Sequence, residues 1–262
     1  VFNSINKSQI EAIEIPLPPL AEQKRIVAIL DEAFTAIEKA KANAEKNLAN
    51  AKELFESYLN GIFANPGEDW EEKKLGEVYD VRDGTHDSPK YHAKGYPLIT
   101  SKNLKNDSIN YDKVKYISEL DYININKRSK VDIGDVLFAM IGTIGNPVVI
   151  KQEPDYAIKN VALFKVENNQ NSEFLKYYLD AKCVQNKMLT DAKGTTQKFV
   201  GLGYLRNFYI PLPPLPEQQV IVSKLDALKT ETQKLEKIYQ AKIEALDELN
   251  KSILKKAFEG AL

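Results

Sequence analysis

Two stretches of the chain carry apolar or small side chains at alternating three- and four-residue spacing. In the first, over residues 22–63, Leu30, Ala33, Ile37, Ala40, Ala44, Ala51, Leu54 and Tyr58 form a stripe that Phe34, Leu48, Phe55 and Ile62 widen. The second carries Leu225, Leu228, Leu235, Tyr239, Leu246, Leu249 and Ile253 at the same kind of spacing. This is the seam of a long amphipathic helix, and neither Pro nor Gly interrupts either copy until near its end. At about 1.5 Å per residue each helix spans roughly 60 Å. Neither buries its stripe alone, so the two are predicted to pack on each other as an antiparallel coiled coil, with the alanines of the first permitting close approach.

Between the helices the periodicity changes. Asn65-Pro66-Gly67 is a breaker cluster, after which short β-like runs alternate with turns: 77–81, 97–100, 114–117, 135–141, 148–150, 161–166 and 208–210. Residues 172–189 read as one helix with Ser172 as N-cap. The expected fold class is therefore α/β: a mixed α/β domain flanked by two long helices. About 140 residues suffice for an independent core.

The helices are duplicates. Ile15-Pro16-Leu17-Pro18-Pro19-Leu20 returns as Ile210-Pro211-Leu212-Pro213-Pro214-Leu215, and residues 15–31 and 210–226 share 12 identities in 17 positions without a gap. The register persists through Leu54/Leu249, Ser57/Ser252, Leu59/Leu254 and Phe63/Phe258. Each proline elbow blocks helix upstream, because a residue before proline is pushed to extended conformations. Glu22 and Glu217 then complement the helix dipole in the first turn. The second elbow follows a whole globular region, whereas the first follows 14 residues and the chain opens on Val1. An equivalent domain is accordingly expected upstream, residues 1–20 being its closing remnant, 21–65 the first spacer helix, 66–215 the globular domain and 216–262 the second spacer helix.

Composition narrows the function classes. The longest apolar runs, such as 136–141, are far too short to span a bilayer, and a cytoplasmic location is expected. The single cysteine, Cys183, forms no internal disulfide and is expected as a small core residue, and two histidines with one cysteine argue against a Cys/His metal site. The net charge is −1, with no global basic field. Over residues 76–200, 18 Lys/Arg stand against 16 Asp/Glu, so any phosphate-facing surface must arise from local clustering.

Catalytic motifs fail on context. Phe199-Val200-Gly201-Leu202-Gly203 matches an FxGxG methyl-donor loop but leads within a few residues to the proline elbow, leaving no room for a βαβ unit. Pro154-Asp155 with Asp180-Ala181-Lys182 imitates a nuclease carboxylate cluster, yet Asp180 and Lys182 fall within the predicted helix. His86 and His92 lack a third ligand at suitable spacing. No nucleophile, base and orienter set emerges, so no catalytic residue, cofactor or metal is assigned.

Polar, glycine-punctuated loops remain: 82–91, Ser101-Lys102-Asn103, 142–146, Lys159-Asn160 and 193–198. Their chemistry suits DNA. Asn and Gln pair bidentately with adenine, Lys takes guanine acceptors or phosphate, and Thr meets a thymine methyl. The candidate DNA-binding residues are Thr85, His86, Lys90, Tyr91, Lys102, Asn103, Thr143, Asn146, Lys159, Asn160, Thr195, Thr196, Gln197 and Lys198.

The elbows with their EQ-initiated helices, Trp70-x4-Leu75-Gly76-Glu77-Val78, Asp83-Gly84-Thr85, Gly134-Asp135-Val136-Leu137, Gly142-Thr143-Ile144-Gly145, Gly194-Thr195-Thr196-Gln197 and Ser252–Phe258 appear in this order. Together they resemble the specificity subunit of type I restriction-modification enzymes, over essentially the whole chain. The resemblance implies target recognition domains alternating with two helices that serve as a ruler, each domain reading one half of a bipartite double-stranded DNA site. It also implies a non-catalytic subunit that recruits methyltransferase subunits and, in the full complex, motor-nuclease subunits. This chain resembles that arrangement without most of its first recognition domain, and pairing of two copies would restore the symmetry. The alternative is a coiled-coil inhibitor that binds the methyltransferase without reading DNA.

Overall fold

The structure is a computed structural model that describes residues 5–167, 169–194 and 197–262. Helices α1 (Lys7–Glu11) and α2 (Leu20–Ala64) come first, followed by strand β1 (Glu71–Lys74), the single turn α3 (Leu75–Val78) and β2 (Asp80–Asp83). Next are β3 (Tyr96–Ile99), β4 (Leu104–Lys105), β5 (Ser108–Ile109), β6 (Lys115–Ile117) and α4 (Glu119–Ser129). Strands β7 (Val136–Ala139), β8 (Gly145–Val149), β9 (Ala157–Ile158) and β10 (Val161–Lys165) lead to α5 (Ser172–Asp180), α6 (Lys182–Asp191) and α7 (Leu202–Asn207). Then come β11 (Tyr209–Leu212) and α8 (Leu215–Phe258). The chain divides into two units, Val1–Glu53 with Glu231–Leu262, and Leu54–Thr230.

In the first unit α2 buries Ile37, Ala44 and Ala51, with Leu30, Ala33, Phe34, Ala40 and Leu48 half-buried along the same stripe. From α8, Thr232 is buried and Tyr239, Ile243, Leu246 and Ile253 are half-buried. Arg25 donates to the Leu262 carbonyl at 2.6 Å and Lys41 Nζ lies 2.6 Å from Asp247 Oδ1, so later residues of one segment meet earlier residues of the other. The two segments run antiparallel. Leu235 and Leu249, expected on the seam, are instead exposed. Their heptad row contains Lys242, whereas the row Thr232, Tyr239, Leu246, Ile253 carries no charge and takes the interface.

In the second unit the stripe of α2 also departs from expectation, because Leu54 and Tyr58 are exposed while Leu59 and Phe63 are buried. The packing partner here is α5: Phe63 meets Phe174 and Tyr178 edge-on at centroid distances of 5.5 and 5.2 Å, and Phe55 meets Tyr177 at 6.2 Å. Large aromatics outweigh continuation of the alanine seam.

The main sheet, in the order β2-β10-β7-β8, is antiparallel throughout. It is buried on both faces, which is why β7 and β10 read as continuous apolar runs. Val136, Phe138, Ala162 and Phe164 face the core that holds α5, while Leu137, Ala139, Val161 and Leu163 face a second core with Ile99, Leu104 and Ile158. A smaller sheet, β6-β3-β9, pairs β3 with β6 antiparallel and with β9 parallel.

Three local expectations change. Residues 77–81 do not form one strand: Leu75 N–H donates to the Phe208 carbonyl at 2.8 Å and Tyr79 N–H to the Leu75 carbonyl at 2.8 Å, closing α3 before β2 begins. The helix expected over 172–189 breaks at Ala181, whose ψ of 128° is extended, so α5 and α6 are separate; the N-cap is Asn171, whose Oδ1 accepts from Glu173 and Phe174 N–H. Asp180 therefore ends one helix and Lys182 begins the next. Cys183 is exposed rather than buried: the break starts a new helix, and the first turn of α6 contributes Val184, not Cys183, to the core.

Candidate nucleic-acid interface

The loop after β2 is held against the end of β9. A Cβ on Gly84 would lie 2.2 Å from the Ile158 carbonyl oxygen, so only glycine allows this approach. Thr85 N–H donates to Ile158 O at 3.0 Å and Asn160 N–H to Thr85 O at 3.2 Å, pairing Thr85 with Lys159. His86 sits between two acceptors, with Nε2 2.8 Å from Asp83 Oδ2 and Nδ1 2.7 Å from Asn160 Oδ1. Arg128 of α4 fixes the other carboxylate oxygen of Asp83 at 3.0 Å and donates to the Gly84 carbonyl at 3.0 Å. Lys159 Nζ donates to Asp87 O and Ser88 Oγ, both at 2.7 Å. Thr85, His86, Lys159 and Asn160 thus form one knot, drawn together from loops 72 to 74 residues apart.

Asn103 is buried and committed: its Oδ1 accepts from the Thr100 N–H and hydroxyl, both at 2.9 Å, and its Nδ2 donates to the Asn110 carbonyl at 2.9 Å. Lys102 and Lys105 are exposed on either side of it. The β4–β5 hairpin turns through Asn106 (φ 49°) and Asp107 (φ 59°), the left-handed pair of a tight hairpin. Asp107 accepts from Lys176 at 3.1 Å and from Lys229. Burial pushes this carboxyl up, but the hydrogen bond from Lys229 and the two lysine charges outweigh it and hold the group below the usual carboxylate range.

Gln197 lies on a hairpin closed by paired hydrogen bonds between Lys193 and Phe199 at 3.0 and 2.9 Å. The next residue, Lys198, accepts at its carbonyl from Gly142 N–H at 2.9 Å and donates from Nζ to Leu189 O at 3.2 Å. Thr143 is exposed on the β7–β8 turn, while Asn146, at φ 49°, donates from Nδ2 to Leu104 O at 3.1 Å. Lys115 Nζ sits 4.2 Å above the Tyr91 ring. Lys90 is exposed, and Thr195 and Thr196 lie outside the described residues.

These loops surround a concavity of about 530 Å³ that brings together Tyr91, Lys102, Asn103, Lys159, Asn160 and Gln197. Its lining also includes Lys105, Lys113 and Lys115, giving five lysines against one carboxylate, Asp112. In a chain of net charge −1 this is a local positive field built by folding. A second concavity, of about 510 Å³, holds Thr85 and His86 beside Arg128 and Asp121. Lys90, Thr143, Asn146 and Lys198 line neither. Sequence reasoning missed Lys105, Lys113 and Lys115, because the fold alone gathers them: Lys105 ends β4, Lys113 sits in a turn at φ 58° and Lys115 opens β6. It also missed Arg128, which only the fold brings to Asp83.

The concavity offers cations, amides, hydroxyls and an aromatic ring, groups that can meet phosphates and base edges. Among the described residues no group of three or more His, Cys, Asp or Glu side chains is placed to hold a metal ion.

A family model for the type I restriction modification DNA specificity domain matches residues 1–46 and 67–245. The MjaVIII type I restriction enzyme specificity subunit of Methanocaldococcus jannaschii is 28% identical over 244 residues, covering 86% of this chain and 57% of that protein. The EcoKI specificity subunit of Escherichia coli is 25% identical over 285 residues, covering 100% of this chain and 60% of that protein. The chain thus spans somewhat under two thirds of these relatives. Among solved structures, a chain from a study of the assembly and conformational transition of the type I R-M system matches with a TM-score of 0.75 at 27% identity, over 95% of this chain and 62% of that one. The HsdS subunit of Thermoanaerobacter tengcongensis shares the fold, with a TM-score of 0.67 at 24% identity, over 99% of this chain and 64% of that one. On the match of the family model to most of its length, the chain belongs to the type I restriction modification DNA specificity domain family.

Proposed function

We propose that this chain reads one half of a bipartite double-stranded DNA site for a type I restriction-modification complex and performs no chemistry itself. The single observation that carries this is the five-lysine concavity, which gathers polar loops from distant parts of a family member into one electropositive surface. Phosphates meet the lysines, and the amides and Tyr91 lie where base edges would pass. Domain roles follow the chain: residues 1–20 as the closing remnant of a recognition domain, 21–65 and 216–262 as spacer helices, 66–215 as the recognition domain. Spacers of roughly 60 Å exceed one DNA turn of about 34 Å, as a gapped site requires. The exposed charged faces of the helices dock methyltransferase subunits, a motor-nuclease subunit joins in the full complex, and two copies of the chain pair. Among the described residues no helix is long and apolar enough to cross a membrane, and we place the protein in the cytoplasm.

The test is co-expression with a methyltransferase subunit encoded beside it, followed by duplex binding at increasing salt. The complex should form, and K102A/K105A/K113A should flatten the dependence of log K on log salt by about 0.9 per lost phosphate contact. Failure to assemble overturns the docking role, and an unchanged slope overturns the DNA-facing role of the concavity.

A further inference from the structure

Three carboxamide side chains line the lysine-rich concavity, and they are not equivalent. Bidentate readout of adenine in the major groove needs both ends of an amide, the oxygen to accept from N6–H and the nitrogen to donate to N7. Asn103 has both ends engaged, on Thr100 and on the Asn110 carbonyl, and is buried. Asn160 has its oxygen against His86. Gln197 is exposed, and its amide makes no hydrogen bond among the described residues.

Its backbone, in contrast, is held from two sides. The φ of Gly194 is +95°, and a Cβ there would lie 2.3 Å from the Gln197 carbonyl oxygen, so only glycine at this position allows that carbonyl to approach. The Gly142 N–H bond to the Lys198 carbonyl pins the other side. A Cβ on Gly142 would fall 2.9 Å from Gln197 Nε2, so the absent side chain leaves the space in which the amide lies. An amide unclaimed among the described residues, on a backbone held from two sides, is the arrangement expected of a base reader, since the backbone needs no further ordering and only the side-chain rotamers remain to be fixed by the contact.

The lysines sort in the same way. Lys159 is spent on Asp87 and Ser88, and Lys115 stacks on Tyr91. Lys102, Lys105 and Lys113 make no side-chain hydrogen bond or ion pair among the described residues and are left to meet phosphates.

We infer that Gln197 is the specificity-determining side chain of this concavity, reading adenine of an A·T pair from the major groove while Lys102, Lys105 and Lys113 hold the backbone. This rests on the proposed DNA-reading function. The experiment is selection from a duplex library with randomised positions, using the full chain assembled with its methyltransferase subunit and, in parallel, Q197A, Q197E and G142A assemblies. Because Gln197 is exposed, its variants should fold, and matched thermal melting verifies it.

The wild-type assembly should enrich a motif. Q197A should lose preference for A at one position by roughly tenfold while keeping the other positions and the salt slope. Q197E should shift that same position toward C, because a carboxylate accepts from cytosine N4 and cannot donate to adenine N7. G142A, at a φ of +80°, should weaken the same position by straining the turn whose N–H holds the Lys198 carbonyl. An unchanged motif in Q197A and Q197E overturns the assignment of Gln197 and leaves DNA reading intact; no enrichment by the wild-type assembly sinks both.

Discussion

Ile15-Pro16-Leu17-Pro18-Pro19-Leu20 and Ile210-Pro211-Leu212-Pro213-Pro214-Leu215 start their helices with the same bonds. In the first, Glu22 and Gln23 N–H donate to Pro19 O at 2.9 and 3.0 Å, and the Gln23 side chain folds back to Pro18 O at 2.7 Å. In the second, Glu217 and Gln218 N–H donate to Pro214 O at 2.9 and 3.0 Å, and the Gln218 side chain reaches Pro213 O at 2.9 Å. Their surroundings differ. Ile210 and Leu212 are buried in β11, which pairs antiparallel with β1, whereas Ile15 and Leu17 are 71% and 79% exposed. Local sequence therefore sets the elbow's hydrogen bonds, and a strand partner decides whether its apolar residues count toward a core.

The largest effect that could break this comparison is a paired truncation. Ile210→Ala removes a fully buried side chain and should cost about 2–5 kcal/mol. Ile15→Ala should cost less than about 0.5 kcal/mol, as exposed substitutions do. Urea denaturation followed by far-ultraviolet circular dichroism, which reads the helices of both units, measures both. The only tryptophan, Trp70, packs edge-on to Phe174 at 6.1 Å beside the second elbow and reports that unit by fluorescence. Equal costs at the two positions would mean that burial does not separate the elbows.

A smaller contrast lies in the two glutamines. Gln218 is 1% exposed and, besides Pro213, binds Gln170 Oε1 at 3.0 Å and Asn171 N–H at 3.1 Å, so it fastens α8 to the segment that caps α5. Gln218→Ala strands these partners and should cost about 1–3 kcal/mol, with the loss visible as faster amide exchange at Asn171. Gln23 makes one such bond while half-buried, and Gln23→Ala should cost about 0.5–1.5 kcal/mol. A Gln218 variant no more costly than the Gln23 variant would show that the added bonds contribute no net stability.

The elbows and the long helices were legible because repetition and period are local properties. What pairs with them was not. Leu54 and Tyr58 continue the heptad arithmetic and are exposed, because α5 offers Phe174 and Tyr178 to Phe63 instead. The break at Ala181 was hidden because 172–189 contains no Gly or Pro; it is held by the fully buried Ala181 and by Gln185, whose side chain donates to Leu179 O at 3.2 Å. At the candidate interface, residue types were readable and their availability was not. Asn103 and Gln197 carry the same amide, and only the fold reveals that one is consumed internally. The lysine cluster draws on strands and loops between Lys102 and Lys159, so no window of sequence displays it.

The smallest effect lies at the first-turn glutamates, where the two elbows meet different donors. Glu217 accepts from the Trp70 indole N–H at 2.8 Å, a neutral donor. Glu22 accepts from Arg25 Nε at 2.9 Å and Nη2 at 2.6 Å, and this hydrogen bond, with the guanidinium charge adding to it, holds the Glu22 carboxyl below the ordinary glutamate value. A carboxylate with a depressed folded pKa stabilises the folded chain above its unfolded pKa and loses that contribution as pH falls through the folded one. NMR titration of the Glu22 carboxyl carbon should give a midpoint below that of an ordinary glutamate, and Arg25→Ala should raise it. Because the pair is exposed, added salt should also move the midpoint up. If Arg25→Ala leaves the midpoint where it was, the dipole of α2 rather than the ion pair sets this carboxylate, and the two elbows differ at this position in geometry alone.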